Sequence, residues 1–381
     1  MMKKWVWIII ALIICIGSLL TWQYIQNKQK EAKVLHVVEL NHSRAVSIEP
    51  KGYQTTAVIG EIGDVLLHDW VYDDAKTKNG YEFDKMFSEV KGMLLKPDFL
   101  IANEESIPGG EGLGISSYPI FNSPFEIVDT LKRNGVDLIS SANNHAMDKG
   151  EKGILSAIGY FNKADIPYVG INKDMTDGQR IRIFNINRIS TAVLSYTFGT
   201  NGIPIPKGKE YLVNLISKDK IISDIHLAKE KSDIVVISIH WGSEYQRMPN
   251  DSQIKLAHEL VDAGADIIFG HHPHVLQPIE NIKRADGSNA VVVYSLGNFL
   301  SGQMWEYKDI GGWAAVTVHK SVSTAGTTIE IGDAHFQPTY VESHHLRKYK
   351  VLPLDKAYKE GLINHSPEEI QHFMFNGMKS Q

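Results

Sequence analysis

The sequence contains a single cysteine, Cys15, in 381 residues. One cysteine cannot form a disulfide within the chain, and it excludes a zinc site built from several thiolates. The chain also lacks a basic excess, because 39 lysines and arginines face 44 acidic residues and leave a formal net charge of -5. This balance offers no general attraction for nucleic acid, so we expect no nucleic-acid partner.

Histidine, in contrast, is plentiful: the chain has sixteen, and several of them cluster. If this protein binds a metal, the ligands must therefore be His, Asp, Glu and Asn. The hydrophobic fraction of 43% is ordinary for a globular protein and excludes wholesale disorder.

One apolar segment near the amino terminus is long enough to cross a membrane. The chain carries no charge from Trp5 to Tyr24, and about 20 such residues span a hydrocarbon core of ~30 Å. We predict a transmembrane anchor at residues 1–26 and a polar tether at residues 27–52. Lys3 and Lys4 favour a cytoplasmic amino terminus, which makes this a single-pass protein of the cell membrane with an extracytoplasmic body. A cleaved signal peptide is the alternative.

Apolar strand-like runs alternate with helix-like segments in residues 53–345, which we expect to form one domain. Continuous apolar strands such as residues 234–239 predict an α/β fold buried on both faces. Helices are predicted at residues 81–95, 123–133 and 150–163, and a further one after Asn250. Ser123, Pro124 and Glu126 resemble a capping box, and residues 285–288 resemble a hairpin turn. Residues 346–381 are predicted to be a peripheral C-terminal helical tail.

Polar side chains follow five of the apolar strands at the point where each strand ends. In chain order, these are Asp64 with His68; Asn103, Glu104 and Glu105; Asn143, Asn144 and His145; His240; and His271, His272 and His274. Ligands of open α/β sheets bind beyond the carboxyl ends of the strands, so we expect the five ends to converge. Side chains alternate along a strand, which puts Asn103 and Glu105 on one side and Glu104 on the other. This favours Glu105 for the site and keeps Glu104 as a further candidate.

Carboxylates, carboxamides and imidazoles together suit a divalent metal such as Mn, Fe or Zn. Two ions bridged by a carboxylate could clamp a phosphate and activate water, and a histidine outside the ligand set could act as a general acid. Each strand end also has a structural explanation on its own, as a turn, a helix cap, a solvated loop or a packed histidine. The five ends together are more specific than any one of them.

The strand-end pattern resembles the calcineurin-like metallophosphoesterases. Six segments resemble, more closely and in family order, the CapA family, also called PgsA, which comprises membrane-anchored proteins of poly-γ-glutamate capsule synthesis and export. These segments are residues 63–66 (GDVL), 102–105 (ANEE), 140–148 (SSANNHAMD), 240–245 (HWGSEY), 263–275 (AGADIIFGHHPHV) and 294–299 (YSLGNF).

The resemblance implies a metallophosphatase-like layered sheet sandwich flanked by helices, with one N-terminal transmembrane helix and one or two divalent ions. It also implies, as partners, the membrane subunits of a poly-γ-glutamate synthase, an anionic polymer and the membrane. Carried over by position, it implies the metal ligands Asp64, Glu105, Asn144, His240, His272 and His274, with His145 as general acid. Further candidates for the site are His68, Asn103, Glu104, Asn143, Asp148 and His271.

Three departures from the wider metallophosphatases bear on the chemistry. Their first motif is Asp-x-His, whereas here three residues separate Asp64 from His68. Glu105, with Asn103, stands where they carry a metal-bridging aspartate. Ala146 follows His145 where an acid is usual, although Asp148 is near. Three functions therefore stay open: a capsule component with a metal site, an exported metal-dependent phosphoesterase, and a non-catalytic scaffold that binds polymer.

Overall fold

Two β-sheets packed face to face form the centre of the computed structural model, which describes residues 22–23 and 52–380. The chain divides into two units, Met1–Pro50 and Lys51–Gln381, and the two sheets belong to the second unit. The predicted anchor and tether lie outside the described residues except for Trp22, Gln23 and Gly52. Within residues 22–23 and 52–380, no helix combines the length and the apolar character needed to cross a membrane.

The strands are β1 (Tyr53–Leu66), β2 (Lys76–Thr77), β3 (Gly80–Tyr81), β4 (Phe99–Glu104), β5 (Leu138–Ser140), β6 (Tyr168–Val169), β7 (Arg182–Ile186), β8 (Ile189–Thr197), β9 (Ile234–His240), β10 (Ile267–His271), β11 (Leu276–Lys283), β12 (Asn289–Leu296), β13 (Asn298–Ser301), β14 (Ile310–Ser323), β15 (Gly326–His344) and β16 (Arg347–Pro353). The helices are α1 (Asp69–Ala75), α2 (Asp84–Phe87), α3 (Lys91–Leu94), α4 (Glu126–Arg133), α5 (Gly150–Lys163), α6 (Met175–Gly178), α7 (Lys218–Lys229), α8 (Asp251–Asp262), α9 (Leu354–Lys359) and α10 (Pro367–Asn376).

The first sheet has the strand order β16-β15-β14-β1-β4-β5-β6, with β13 paired to β1. The second sheet has the order β11-β12-β10-β9-β8-β7. Strands β1, β4, β5 and β6 run parallel in the first sheet, and β8, β9, β10 and β12 run parallel in the second. Each parallel set therefore brings its carboxyl ends to a single edge of its sheet.

Three apolar layers hold the fold together. Ile59 and Ile101 of the first sheet pack against Val236 and Phe269 of the second sheet. Helices α4 and α5 cover the other face of the first sheet, and α7 and α8 cover that of the second. The result is a helix–sheet–sheet–helix arrangement, so the predicted layered α/β fold is confirmed. Burial on both faces explains why β9 is a continuous apolar run.

Several local predictions agree with the structure. Helix α5 covers residues 150–163 as expected. Asn250 caps α8 through a capping box with Gln253. The Asn250 side chain accepts the backbone N–H of Gln253, and the Gln253 side chain accepts the backbone N–H of Asn250. Strands β11 and β12 form the hairpin predicted around residues 285–288.

Two predicted helices differ from the observed ones. The segment at residues 81–95 forms two short helices, α2 and α3, joined by a turn in which Val90 N–H donates to Phe87 O. The helix predicted from residue 123 begins at Glu126, so the proposed capping box is wrong. Ser123 lies two residues before the N-cap position of this helix, which Phe125 occupies, and its hydroxyl donates to Ser106 Oγ at 2.6 Å.

The chain after residue 346 belongs to the core, so its description as a peripheral helical tail is wrong. Residues 347–353 form strand β16, which pairs with β15, and its Tyr349 and Val351 are buried. Ile370 and Met374 of α10 pack into the layer between the two sheets. Lys348 and Lys350, which alternate with Tyr349 and Val351, lie on the edge strand β16, one face of which meets solvent.

Candidate metal centre

Strand ends from both sheets meet at one edge of the sandwich. Asp64 lies near the end of β1, and Glu105 directly follows β4; His240 ends β9 in the other sheet. Asp64 Oδ2 lies 3.2 Å from His274 Nδ1, and Glu105 Oε1 lies 3.3 Å from His240 Nε2. The structure therefore brings candidate residues of both sheets into one buried cluster.

Asp64 is fully buried and held by its neighbours. Its Oδ1 accepts hydrogen bonds from Asn103 Nδ2 at 2.8 Å and from His271 Nδ1 at 2.9 Å. Burial acts to raise the pKa of Asp64, but hydrogen bonds from His271 and His274 outweigh burial and hold this pKa well below the usual value. Asp64 is therefore ionised, and Asn103 orients its carboxylate.

Glu105 is also fully buried, yet neither of its carboxylate oxygens has a hydrogen-bond partner among the described residues. Its Oε1 lies 3.3 Å from His240 Nε2 and 3.7 Å from His274 Nε2. Burial raises the pKa of Glu105 to about 7, although the charge of His274 opposes the rise. A buried polar group without a partner costs about 1–3 kcal/mol, and more when it is charged. A bound cation would remove this penalty, so Glu105 fits a metal ligand.

Two groups of side chains that could hold an ion share Glu105. One consists of Asp64, Glu105 and His274, and the other of Glu105, His240 and His272. In each group the potential ligand atoms lie within 4.8 Å of one another. Glu105 thus lies where one carboxylate could bridge two ions.

Asn144 adds an amide oxygen to the second group. Its Oδ1 accepts a hydrogen bond from His240 Nε2 at 2.7 Å. Burial lowers the pKa of His272 to about 2 and that of His240 well below its usual value, and charges on neighbouring histidines lower the pKa of His272 further. Both rings are therefore neutral, which is the form of histidine that binds metals. The Nδ1 atoms of His240 and His272 are buried without a partner among the described residues.

His145 directly follows Asn144 and is oriented by Asp148. Its Nδ1 lies 2.7 Å from Asp148 Oδ2, which also accepts the backbone N–H of Phe121 at 2.6 Å. The Phe121 ring meets the His145 ring edge-on at a centroid distance of 4.6 Å. Asp148 therefore supplies the acid that Ala146 does not. With Nδ1 engaged by Asp148, Nε2 is the ring atom left to exchange a proton.

His68 lies outside both groups of potential ligands. Its Nδ1 accepts the backbone N–H of Gly302 at 3.2 Å, and its ring stacks on Trp70 at 5.8 Å. Burial lowers the pKa of His68 to about 4, so the ring is neutral. His68 therefore lies in an aromatic contact and not among the potential metal ligands.

Glu104 and Asn143 lie beside the site and hold the backbone around it through hydrogen bonds. Glu104 turns away from Glu105, as alternation along β4 predicts, and its Oε1 accepts the Ser106 hydroxyl at 3.0 Å. Asn143 Nδ2 donates to Glu104 O at 2.9 Å, and Asn143 Oδ1 accepts the backbone N–H of His145 at 3.1 Å. Asn143 therefore fixes the turn that carries Asn144 and His145.

His271 joins two carboxylates and belongs to neither group of potential ligands. Its Nδ1 lies 2.9 Å from Asp64 Oδ1, and its Nε2 lies 2.9 Å from Glu61 Oε1. Burial opposes protonation of His271, but the charge of Glu61 and the hydrogen bonds to both carboxylates raise its pKa to about 10. Because it lies between two carboxylates and outside both groups of potential ligands, His271 is a buried cation that positions Asp64.

Sequence reasoning missed Glu61, which also accepts the Ser238 hydroxyl at 2.7 Å across the two sheets. The available signal was a lone charged residue inside the apolar run of β1. Reasoning also missed Glu244, which forms a further group of potential ligands with His272 and His274, their ligand atoms lying within 4.8 Å of one another. Its only signal was its place in segment 240–245, one of the six that resemble the CapA family.

The end of β8 is a further contributor that sequence reasoning missed. Asn201 Oδ1 accepts a hydrogen bond from Asn144 Nδ2 at 3.2 Å, and the Phe198 ring lies 4.5 Å from the ring of His272. No sequence signal pointed to this segment, because β8 is followed by Phe-Gly-Thr rather than by an acid or a histidine.

Comparison with known proteins gives a consistent picture. The model of the family described as "Bacterial capsule synthesis protein PGA_cap" matches residues 58–303. The chain is 33% identical over 257 residues to the PGA biosynthesis protein CapA of Bacillus subtilis (strain 168), which covers 64% of this chain and 63% of that protein. It is 32% identical over 252 residues to the capsule biosynthesis protein CapA of Bacillus anthracis, covering 64% of this chain and 59% of that protein. The match therefore spans less than two thirds of either relative.

A more distant relative is a "probable polyglutamine synthesis accessory protein" of Mycobacterium tuberculosis (strain CDC 1551 / Oshkosh). It is 25% identical over 182 residues, which is 45% of this chain and 46% of that protein. The family match begins in β1 and ends just after β13, so it contains all the residues of the buried cluster. The chain belongs to the PGA_cap family of bacterial capsule synthesis proteins.

Proposed function

We propose that this protein is a component of poly-γ-glutamate capsule synthesis or export that works through a divalent-metal site. Membership of the capsule synthesis family supports the biological role. The name of one relative, a PGA biosynthesis protein, supports a polyglutamate as the polymer. The partners would then be the membrane subunits of the synthase and the anionic polymer itself.

The observation that carries the metal site is Glu105. Its two buried carboxylate oxygens lack hydrogen-bond partners among the described residues, and two groups of potential ligands meet at it. Neutral His240 and His272, with free ring nitrogens, fit the same interpretation. The ligands would be Asp64, Glu105 and His274 at one position, and Glu105, Asn144, His240 and His272 at the other. Imidazole and carboxylate ligands suit Mn, Fe or Zn.

A second candidate function, phosphoester hydrolysis, is favoured by the pair of His145 and Asp148. The 2.7 Å contact between His145 Nδ1 and Asp148 Oδ2 fixes the orientation of the ring, as a general acid requires. His145 could then deliver a proton from Nε2 to a leaving oxygen. Divalent ions held beside it would supply electrostatic stabilisation of a phosphate and activation of water. A site that only binds the carboxylates of the polymer needs Asp64 and Glu105 for the ions, but it does not need a general acid.

We further propose that the chain is anchored in the cell membrane with its body outside. The uncharged segment from Trp5 to Tyr24, with Lys3 and Lys4 before it, supports this topology. Protease added to intact cells should then remove the body and leave a small membrane-bound fragment. A body that resists protease until the cells are lysed would contradict this orientation.

The functional proposal is tested by two variants, Asp64→Ala and His145→Ala, measured in cells and in vitro. The full-length protein, purified in detergent and loaded with Mn²⁺, is assayed on bis(p-nitrophenyl) phosphate. If it is a hydrolase, His145→Ala lowers turnover by about 10²- to 10⁴-fold at unchanged metal content. Asp64→Ala should lower both turnover and metal content.

The same variants separate the candidate functions in a strain that makes the capsule. If the wild-type protein hydrolyses no ester but both variants abolish the capsule, hydrolysis is rejected and a binding or organising role remains. If both variants make normal capsule, the site has no role in capsule formation, and the proposed function is wrong. His226→Ala serves as a control, because His226 lies on α7 away from both groups of potential ligands.

A further inference from the structure

The segment after β8, residues 198–202, which we term the β8 loop, reaches the cluster from the second sheet. Thr197, the last residue of β8, lies opposite His240 in the parallel pair of β8 and β9. The backbone N–H of Phe198 donates to His240 O at 3.0 Å. The β8 loop is therefore fixed at its start to a potential metal ligand.

Phe198 packs on the imidazoles of the second group. Its ring lies 4.5 Å from the His272 ring, and it is nearly parallel to the His240 ring, with an interplanar angle of 7° at 6.4 Å. The side chain nevertheless remains 47% exposed. A large apolar side chain that stays partly in solvent while it covers two potential ligands restricts the orientation of both rings.

Asn201 holds Asn144, which adds an amide oxygen to this group. Its Oδ1 accepts Asn144 Nδ2 at 3.2 Å, while Asn144 Oδ1 faces His240 Nε2 at 2.7 Å. An amide held at its nitrogen end can present only its oxygen in the opposite direction. Asn201 thereby decides which end of the Asn144 amide faces the cluster. Metal-binding side chains commonly need such an outer partner.

The contacts of the β8 loop are unequal between the two groups. Among the residues of the cluster, its side-chain hydrogen bonds and ring contacts within residues 52–380 reach Asn144, His145, His240 and His272, and not Asp64 or His274. We infer that Asn201 and Phe198 are positioning residues for one metal position only, that of Glu105, Asn144, His240 and His272. This inference rests on the proposed metal site and adds that the two positions are controlled separately.

The geometry of Asn201 allows a clean substitution. Asn201 is exposed and has a positive φ of 49°, a conformation that glycine adopts without strain. Asn201→Gly therefore removes the amide and keeps the backbone. Asn201→Asp keeps an oxygen that can accept from Asn144 Nδ2. Asn187 offers a matched control, because it is also exposed with φ 49° and donates to Thr56 O at 3.0 Å far from the cluster.

The experiment is titration of the metal-stripped, full-length protein with MnCl₂ by isothermal titration calorimetry. The wild-type protein should bind two ions. Asn201→Gly should bind the first with unchanged affinity and the second about 10- to 100-fold more weakly, which is the usual effect of losing an outer partner. Asn201→Asp should restore the second ion, and Asn187→Gly should match the wild type. Phe198→Leu is a second, independent variant that should also weaken only the second ion.

The outcomes separate this inference from the proposed function. If the wild-type protein binds no Mn²⁺, the proposed metal site fails. If it binds only one ion, or if Asn201→Gly and Phe198→Leu both bind two ions like the wild type, the inference is wrong and the proposed site stands. Equal weakening of both ions in the Asn201 variants, or the same loss in Asn187→Gly, also overturns it. Thermal unfolding of each variant identifies any that misfold. If either Asn201→Gly or Phe198→Leu misfolds, the titration of the other variant decides between these outcomes.

Discussion

The buried carboxylate of Glu105 should cost the metal-free protein stability, so we expect Glu105→Gln to be more stable without metal and insensitive to metal. Glutamine has the same shape but no charge to desolvate. The expected direction is unusual, because most substitutions at buried positions destabilise a protein. It follows from the two carboxylate oxygens of Glu105, which lack hydrogen-bond partners among the described residues.

The size of the effect follows from the pKa. Burial raises the pKa of Glu105 from 4.5 to about 7, and each pH unit corresponds to about 1.4 kcal/mol. The ionised form therefore costs the folded state about 3 kcal/mol. Because the folded-state pKa lies above the unfolded value, this cost grows as the pH rises from 4.5 to 7 and is complete above about pH 7. For roughly 330 ordered residues, 3 kcal/mol corresponds to about 4 °C in the melting temperature.

The assay is thermal unfolding at pH 8, with chelator and then with excess Mn²⁺. The wild-type protein should gain about 2.7 kcal/mol of stability when free Mn²⁺ is 100 times the dissociation constant. Without metal, Glu105→Gln should melt about 4 °C above the wild type, and it should gain little stability from Mn²⁺. Glu104→Gln is the matched control, because Glu104 is an adjacent buried acid outside both groups of potential ligands, and it should keep the full response to Mn²⁺. A metal-free Glu105→Gln that melts below the wild type, or one that keeps the response, would refute this reasoning.

Three further predictions concern the metal, the C-terminal core and the topology. His272→Ala should lose most bound Mn²⁺ in metal analysis of the full-length protein, whereas His226→Ala should keep it; equal content in both would contradict the ligand assignment. Arg247 lies 3.7 Å from the centre of the Tyr307 ring and 4.0 Å from that of Phe373. Arg247→Ala should therefore lower the free energy of unfolding in urea by about 1–3 kcal/mol, and an unchanged midpoint would exclude this role. An epitope tag at the carboxyl terminus should be accessible to antibody on intact cells, and labelling only after lysis would place the body inside.

Local patterns in the sequence were sufficient where one element decides its own structure. Asn250 and Gln253 form their capping box because both partners lie within one turn of α8. The continuous apolar run of β9 predicts a strand buried on both faces, since no solvent-facing residue interrupts it. Alternation along β4 separates Glu105 from Glu104 because it is a property of the strand itself.

Local patterns failed where contacts with distant parts of the chain decide the structure. Ser123 has the right spacing for a helix cap, but the helix begins three residues later, at Glu126, and the Ser123 hydroxyl bonds Ser106 from another part of the chain. Residues 347–353 alternate lysines with the apolar Tyr349 and Val351, and this polar segment becomes a core strand because β15 offers an edge for pairing.

For the site, the sequence by itself determined which chemistry is available: carboxylates, amides and imidazoles at strand ends, with no thiolate among them. Only the tertiary structure decided the role of each. His271 and His272 are adjacent in the chain, yet His271 lies between Glu61 and Asp64 as a buried cation while burial keeps His272 neutral. The physical reason is that protonation depends on burial and on charges within a few ångströms, and these neighbours come from strands of both sheets.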